Sequence, residues 1–212
     1  MSVSNIEPAR VRNARGEGSR LRADIIRAAR RVLEVSGVED AVTLRATARQ
    51  AGVTAPALYG HFADRAEIIE AVISEAFAEF AAAVTNAMVG IADPVERLRA
   101  GCRAYVRYAH EQPAAYRILF TRDQPSAMPS AAAQAADVFQ LLVEIIRDCV
   151  AAGRSTSRDP TVDAVVLWLA LHGLAALPPS HPRFPWPDEQ ALLDQVLNRS
   201  AQLAESSPPG CE

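Results

Sequence analysis

Four polar side chains, Arg45, Tyr59, His61 and Arg65, fall in one short stretch from Thr43 to Arg65 that is otherwise rich in small and apolar residues. Donors of these types bond phosphate oxygens of nucleic acid. Thr43 and Thr54 each stand before a helix-like run, where a hydroxyl can accept from the first free backbone N–H groups. Leu44, Ala48 and Ala51 share one helical face. Gly52 follows where a sharp turn needs freedom in φ, and Val53 can plug the angle between two helices. Pro56 falls in the first turn of the next helix, where a missing N–H costs little. Leu58 and Phe62 anchor that helix, which leaves Ala55, Ala57, Tyr59, Gly60 and His61 facing out. An exposed helix of small residues ending in Tyr and His suits a DNA major groove with flanking phosphate contacts.

A second set of residues suits a different chemistry. Tyr105, Tyr108, Tyr116, Phe120 and Phe139 are candidates to line an apolar pocket, and Cys102 shares a helical face with Tyr105. Trp168 and His172 are four apart on an apolar helix and so share a face. They either pack a core, with Gly173 letting a helix approach closely, or line the same pocket. Such a lining suits a mainly apolar small molecule held by one or two hydrogen bonds from Tyr105, His172 or Tyr108. A phosphorylated sugar would want a convergent Arg cluster, which this set lacks.

Catalytic and metal signatures are absent from the sequence: no phosphate loop, HExxH, GxSxG or paired Cys/His spacing. His61, His110, His172 and His181 are scattered, and Cys102, Cys149 and Cys211 are odd in number and far apart. The cysteines read as two buried thiols and one on a tail, or as a redox or metal sensor. No catalytic residue, metal or cofactor is expected. Two other classes stay open: a helical enzyme assembled from remote residues, and a DNA-bridging protein without an effector. The large apolar body speaks against the second.

These residues need elements to position them. Half of the 212 residues are apolar, alanine dominates and convincing strand alternation is missing, so the expected fold is all-α. No apolar run is judged to reach the roughly 18 residues of a membrane span, and the basic N-terminus lacks an apolar signal core. A cytoplasmic protein with no membrane partner is expected. Residues 1–65 hold 11 Arg against 7 acids, whereas residues 66–212 hold 11 Arg against 18 acids, and the chain has no lysine. A basic end on an acidic body fits a DNA-binding head and a separate second domain.

The expected organisation is a flexible basic arm over 1–18, a helix-turn-helix domain over 19–65, a helical body over 66–205 and a disordered tail over 206–212. The first helix is expected from about Arg20 to Ser36, and a fourth from Asp64, in a capping box with Glu67, to about Met88. Asp93-Pro94 opens a helix to about Glu111, and Pro113 opens a short one. A Pro/Ser loop over 124–130 precedes a long helix from about Ala131 to Ala152. Asp159-Pro160 caps a helix to about Leu177, apolar nearly all round, so it must be buried on more than one side. A Pro-rich linker over 178–187 and a last helix from about Asp188 to Ala204 complete about nine helices.

Residues 20–69 resemble the N-terminal domain of the tetracycline-repressor (TetR) family of bacterial transcription regulators. The carriers are Ile25-x-x-Ala28-Ala29, Thr43-Leu44-Arg45, Ala48-x-x-Ala51-Gly52-Val53 and Ala57-Leu58-Tyr59-x-His61-Phe62. Tyr105 to Tyr108, Pro113 to Phe120 and Trp168-x-x-x-His172-Gly173 look like the C-terminal domain of a subgroup with a Trp/His-Gly motif. The resemblance implies a three-helix DNA-binding domain and a C-terminal ligand-binding and dimerisation bundle. It implies a homodimeric regulator, more a repressor than an activator, on a palindromic double-stranded operator and answering to a small-molecule effector. DNA contacts are then expected from Thr43, Arg45, Thr54, Ala55, Ala57, Tyr59, His61 and Arg65, with Arg45, Tyr59, His61 and Arg65 on phosphates. The last two helices would pair across a two-fold axis, with Val166 and Leu193 as candidate partner-facing positions. Many relatives carry a polar residue, Gly and Thr where this chain has Ala55-Pro56-Ala57. Base-edge hydrogen bonds from those side chains are lost, while methyl contacts to thymine remain.

Overall fold

Helical stripes punctuated by Gly, Pro and capping residues dictate a chain of helices, and the computed structural model has nine of them among the described residues, 17–120 and 129–204. They are α1 (Glu17–Ser36), α2 (Leu44–Ala51), α3 (Ala55–Tyr59), α4 (Arg65–Met88), α5 (Pro94–Glu111), α6 (Pro113–Phe120), α7 (Pro129–Ala151), α8 (Pro160–Ser180) and α9 (Glu189–Ser200). A 3-10 turn, Glu39–Ala41, lies between α1 and α2. The expected basic arm up to residue 16, most of the Pro/Ser loop, the tail and Cys211 lie outside the described residues. The chain divides into two compact units between Val72 and Ile73, inside α4.

In the first unit the caps act as their residue types demand. Thr43 Oγ1 accepts from the Ala46 N–H at 3.1 Å, and Thr54 Oγ1 from the Ala57 N–H at 3.4 Å. Gly52 takes φ +69°, left-handed backbone that a Cβ disfavours, and the Val53 N–H then returns to the Ala48 carbonyl at 3.0 Å. At the start of α4 the Glu67 N–H donates to Asp64 at 2.9 Å. The Glu67 carboxylate accepts in return from the Ala63 N–H at 2.7 Å, one residue earlier than a standard capping box. Ile25, Ala28 and Ala29 of α1 and Leu58, Phe62, Ile68 and Ile69 are fully buried core residues of this unit.

In the second unit α5 packs against α6, α7, α8 and α9, and α8 also packs on α7 and α9. Asp93 starts α5 by accepting from the Val95 and Glu96 N–H groups. Asp159 and Asp188 do the same for α8 and α9.

Four expectations need correction here. The 178–187 linker was expected from Pro178, yet α8 runs through Pro178 and Pro179 to Ser180. The Ser180 hydroxyl donates to the Ala176 and Leu177 carbonyls and so helps close the last turn. α9 stops at Ser200, short of Ala204, because residues beyond it pair with the α7–α8 turn. The Thr156 N–H donates to the Gln202 carbonyl at 2.9 Å, and the Ala204 N–H to the Arg154 carbonyl at 3.0 Å. α8 is also long and apolar enough, by length and composition, to cross a membrane. Asp163 and His172 interrupt a strict apolar run but leave its average hydropathy high. Finally, α8, expected to be buried on more than one side, is buried on one side within one chain. Ala164, Leu167, Leu171 and Leu174 enter the core, while Val162, Val166, Leu169 and Leu177 remain exposed.

Candidate functional site

The first site is the outer face of α2 and α3. Short α3 is held inward by Leu58 and terminated by Gly60. Thr43, Arg45, Thr54 and Ala55 are exposed, Ala57 and His61 are half-buried, and Tyr59 is 57% exposed. The expected cluster of a small-residue helix flanked by Arg, Tyr and His is therefore assembled on one unit. Phe62, the inward anchor, carries the Arg22 guanidinium 4.8 Å above its ring.

Arg65 has a different setting from the others. Its Nε donates to the Val42 carbonyl at 2.9 Å, and Nη2 to the Glu39 carbonyl at 2.8 Å. Nη2 also pairs with the carboxylates of Glu39 at 3.4 Å and Asp40 at 3.2 Å. Arg65 thus ties the start of α4 to the 3-10 turn that leads into α2. From the sequence, a phosphate or open solvent is the expected surrounding of Arg65, and the structure gives it internal partners instead. The acidic pair Glu39-Asp40 was the available signal for this internal partner.

The second site is a cavity of about 60 Å³ in the second unit, bounded by α4, α5, α6, α7 and α8. Of the expected residues, Cys102, Tyr105, Phe120, Phe139 and Trp168 line it. Tyr116 and His172 join it through Tyr105. The Tyr105 hydroxyl lies 3.1 Å from His172 Nδ1, 3.2 Å from Nε2 and 3.4 Å from the Tyr116 hydroxyl. Tyr116 OH approaches His172 Nδ1 at 2.6 Å. Burial raises both phenols above their usual range and lowers the imidazole, so all three groups are neutral near pH 7. Phe120 and Trp168 stack edge-on against His172 at 4.6 and 4.9 Å, which fixes the ring. Trp168 packs against His172 and lines the cavity, whereas His172 packs behind the wall and is linked to the cavity through Tyr105. Tyr108 goes elsewhere, its hydroxyl donating to the Ala76 carbonyl at 3.2 Å.

Burial pushes the Cys102 thiol up to about 12 and, with Asp93 and Asp148 adding to the effect, the Cys149 thiol up to about 11. Both thiols stay protonated and unreactive at neutral pH. Among the described residues no group of three or more His, Cys, Asp or Glu is placed to hold a metal ion.

The sequence reading missed the α4 wall of the cavity, Phe77, Phe80, Val84 and Met88, and the α7 wall around Leu141 and Ile145. The α4 set sits at helical spacing and was visible as a stripe. Nothing in the spacing distinguishes a stripe that closes on a core from one that faces a void.

Family models match stretches in both units. Residues 25–72 match the family model described as bacterial regulatory proteins, tetR family. Residues 98–199 match the one described as tetracyclin repressor-like, C-terminal domain. The HTH-type transcriptional activator FasR of Mycolicibacterium smegmatis is 26% identical over 148 residues, 70% of this chain and 64% of that protein's length. The chain thus spans a little under two thirds of that relative. A Rhodococcus sp. RHA1 protein of unknown function shares the fold with TM-score 0.76 and 23% identity, covering 92% of this chain and 97% of that one. AibR, solved with isovaleryl coenzyme A and operator DNA, gives TM-score 0.62 at 21% identity, over 85% of this chain and 97% of its own. A capped helix-turn-helix in one unit, a helical bundle in the other and a family match on each lead to one assignment: the chain belongs to the TetR family of DNA-binding transcription regulators.

Proposed function

We propose that the chain is a homodimeric repressor, acting in the cytoplasm, whose operator binding is relieved by a small, mainly apolar effector. The domain division that goes with this is DNA binding over 19–65 and effector binding with dimerisation over 66–205. The observation that carries the reading is the apolar cavity with one polar group, Tyr105, in its wall and Tyr116 and His172 hydrogen-bonded behind it. A neutral cluster of donors and acceptors orients a carbonyl or hydroxyl without requiring a charge. Acyl groups fit this chemistry, and the AibR complex with isovaleryl coenzyme A supports it by likeness of fold. The cavity is far below the several hundred Å³ of an ordinary ligand pocket, so an acyl group enters while any large carrier stays outside.

On DNA, α3 of each subunit enters a major groove, with half-sites about 34–36 Å or a multiple apart on a palindrome. Arg45, Tyr59 and His61 contact phosphates, and Ala55 and Ala57 offer methyl groups to thymine. Arg65 acts chiefly by holding the helix-turn-helix together. The exposed α8 stripe supplies the dimer interface. Activation is the second reading, favoured by the described role of the M. smegmatis relative.

The effector must bind the DNA-incompetent state more tightly, or it shifts nothing. A thermal-shift screen of apolar and polar compounds, followed by operator titration with each hit, tests this. Compounds that raise the melting temperature should lower operator affinity. Stabilisation by highly charged ligands alone, or stabilising ligands that leave operator binding untouched, would overturn the effector reading. Transcription in vitro with and without a hit decides between repression and activation.

A further inference from the structure

The two ends of the cavity differ in chemistry. Its lining on α4 runs from Phe77 to Met88 and on α5 from Leu98 to Tyr105. At 1.5 Å per residue these walls are about 16 Å and about 10 Å long. One end carries Tyr105, with His172 and Tyr116 behind it. The other end, at Met88, Val84 and Leu98, is wholly apolar. The Arg97–Asp148 ion pair places the C-terminal part of α7 beside this end, so Ile145 closes it.

At the apolar end, Met88 lies over Gly101. A Cβ at position 101 would stand 2.9 Å from Met88 Sδ and 3.7 Å from Val84 Cγ1. The first distance is too short for contact, so Met88 can occupy its place only because residue 101 has no side chain. Methionine is unbranched and adaptable, and it yields where a branched residue would not. Both residues line the cavity, and a side chain at 101 would drive the Met88 thioether into the open space.

We propose that this cavity takes an unbranched alkyl or acyl chain, methyl end first, and that Met88 seated on Gly101 sets the chain length accepted. The proposal rests on the reading that the second unit binds an apolar effector. The polar atom of the ligand sits at Tyr105, and the terminal methyl group meets Met88. A chain one methylene too long loses the burial of that group, about fourfold in affinity.

Calorimetric titration and thermal shift of the full chain with straight-chain primary alcohols, hexanol to hexadecanol, provide the test. The unmodified protein should show a single best length. Met88→Ala removes the thioether and should move that optimum about two to three carbons longer. Gly101→Ala should move it shorter, and it serves as a second probe where Met88→Ala folds poorly. The double variant should return towards the original optimum. An optimum unchanged in variants that still bind overturns the length gauge and leaves the effector reading standing. Tighter binding of a flat aromatic series than of every alcohol overturns the chain as ligand. Failure of the unmodified protein to bind any alcohol overturns the chain as ligand, while the thermal-shift screen with operator titration decides the effector reading.

Discussion

Arg45 on α2 and Tyr59 at the end of α3 both face solvent, but only Arg45 carries a charge. Neutralising one phosphate contact should flatten the slope of log affinity against log salt by about 1. Arg45→Ala should show this change, while Tyr59→Phe should weaken binding at unchanged slope. Both should weaken specific and random duplexes by similar factors, and fluorescence anisotropy across a salt series reads both effects. An unchanged slope for Arg45→Ala removes it from the phosphate contacts. Arg65 calls for a different measurement, because its guanidinium is hydrogen-bonded to Val42 and Glu39. Arg65→Ala should destabilise the protein by about 1–2 kcal/mol, allowing for its partial exposure. Arg65→Lys should recover little of this, since an ammonium cannot reach two carbonyls in a planar fork. Urea unfolding of the three proteins checks the order.

At the scale of an element, the start of α5 depends on one carboxylate. Asp93 accepts from two backbone N–H groups and pairs with Arg154 at 3.0 Å. The backbone hydrogen bonds foremost, then the charge of Arg154, hold its carboxyl below the usual 3.8. Folding therefore favours the ionised form. The stability this adds is complete above the unfolded value and is lost as pH falls below 3.8 through the lowered folded value. Asp93→Asn keeps a capping oxygen but has no charge for Arg154. Its melting temperature should lie below that of the unmodified protein at neutral pH, and the gap should narrow as the solution is acidified through that window. A gap constant with pH would show that the charge of Asp93 adds nothing.

For the whole molecule, the α8 stripe of Val162, Val166, Leu169 and Leu177 leaves apolar surface that a single chain does not cover, with Leu169 61% exposed. A second copy pairing along α8 is the expected cover. Val166 is 47% exposed, so Val166→Asp should dissociate the dimer while helix content persists. Leu193, named with it from the sequence as partner-facing, is only 3% exposed and lies in the core of its own chain. Leu193→Asp should instead unfold the second unit, because it buries a charge without a partner. Sedimentation velocity with circular dichroism separates the two outcomes, and a stable monomer of the unmodified protein at micromolar concentration would contradict the dimer.

The sequence alone determined the helical class, the helix starts and the outward face of α3. Each of these depends on neighbours in the chain: Thr43, Thr54 and Asp93 cap the groups that follow them, and Gly52 turns where it stands. Periodicity likewise marked Ile25, Leu58 and Phe62 as buried. Only the tertiary structure decided which apolar stripes meet a core, a void or solvent. The α4 stripe from Phe77 to Met88 borders a cavity, half of α8 stays open, and Arg65 finds its partners more than twenty residues away. The same structure stopped α9 at Ser200 by pairing the chain beyond it with the α7–α8 turn, and it spent Tyr108 on the Ala76 carbonyl. Hydrophobic burial is non-directional, so a stripe records that a face is apolar and not what will cover it. Hydrogen-bond partners remote in sequence exist only once the helices have packed.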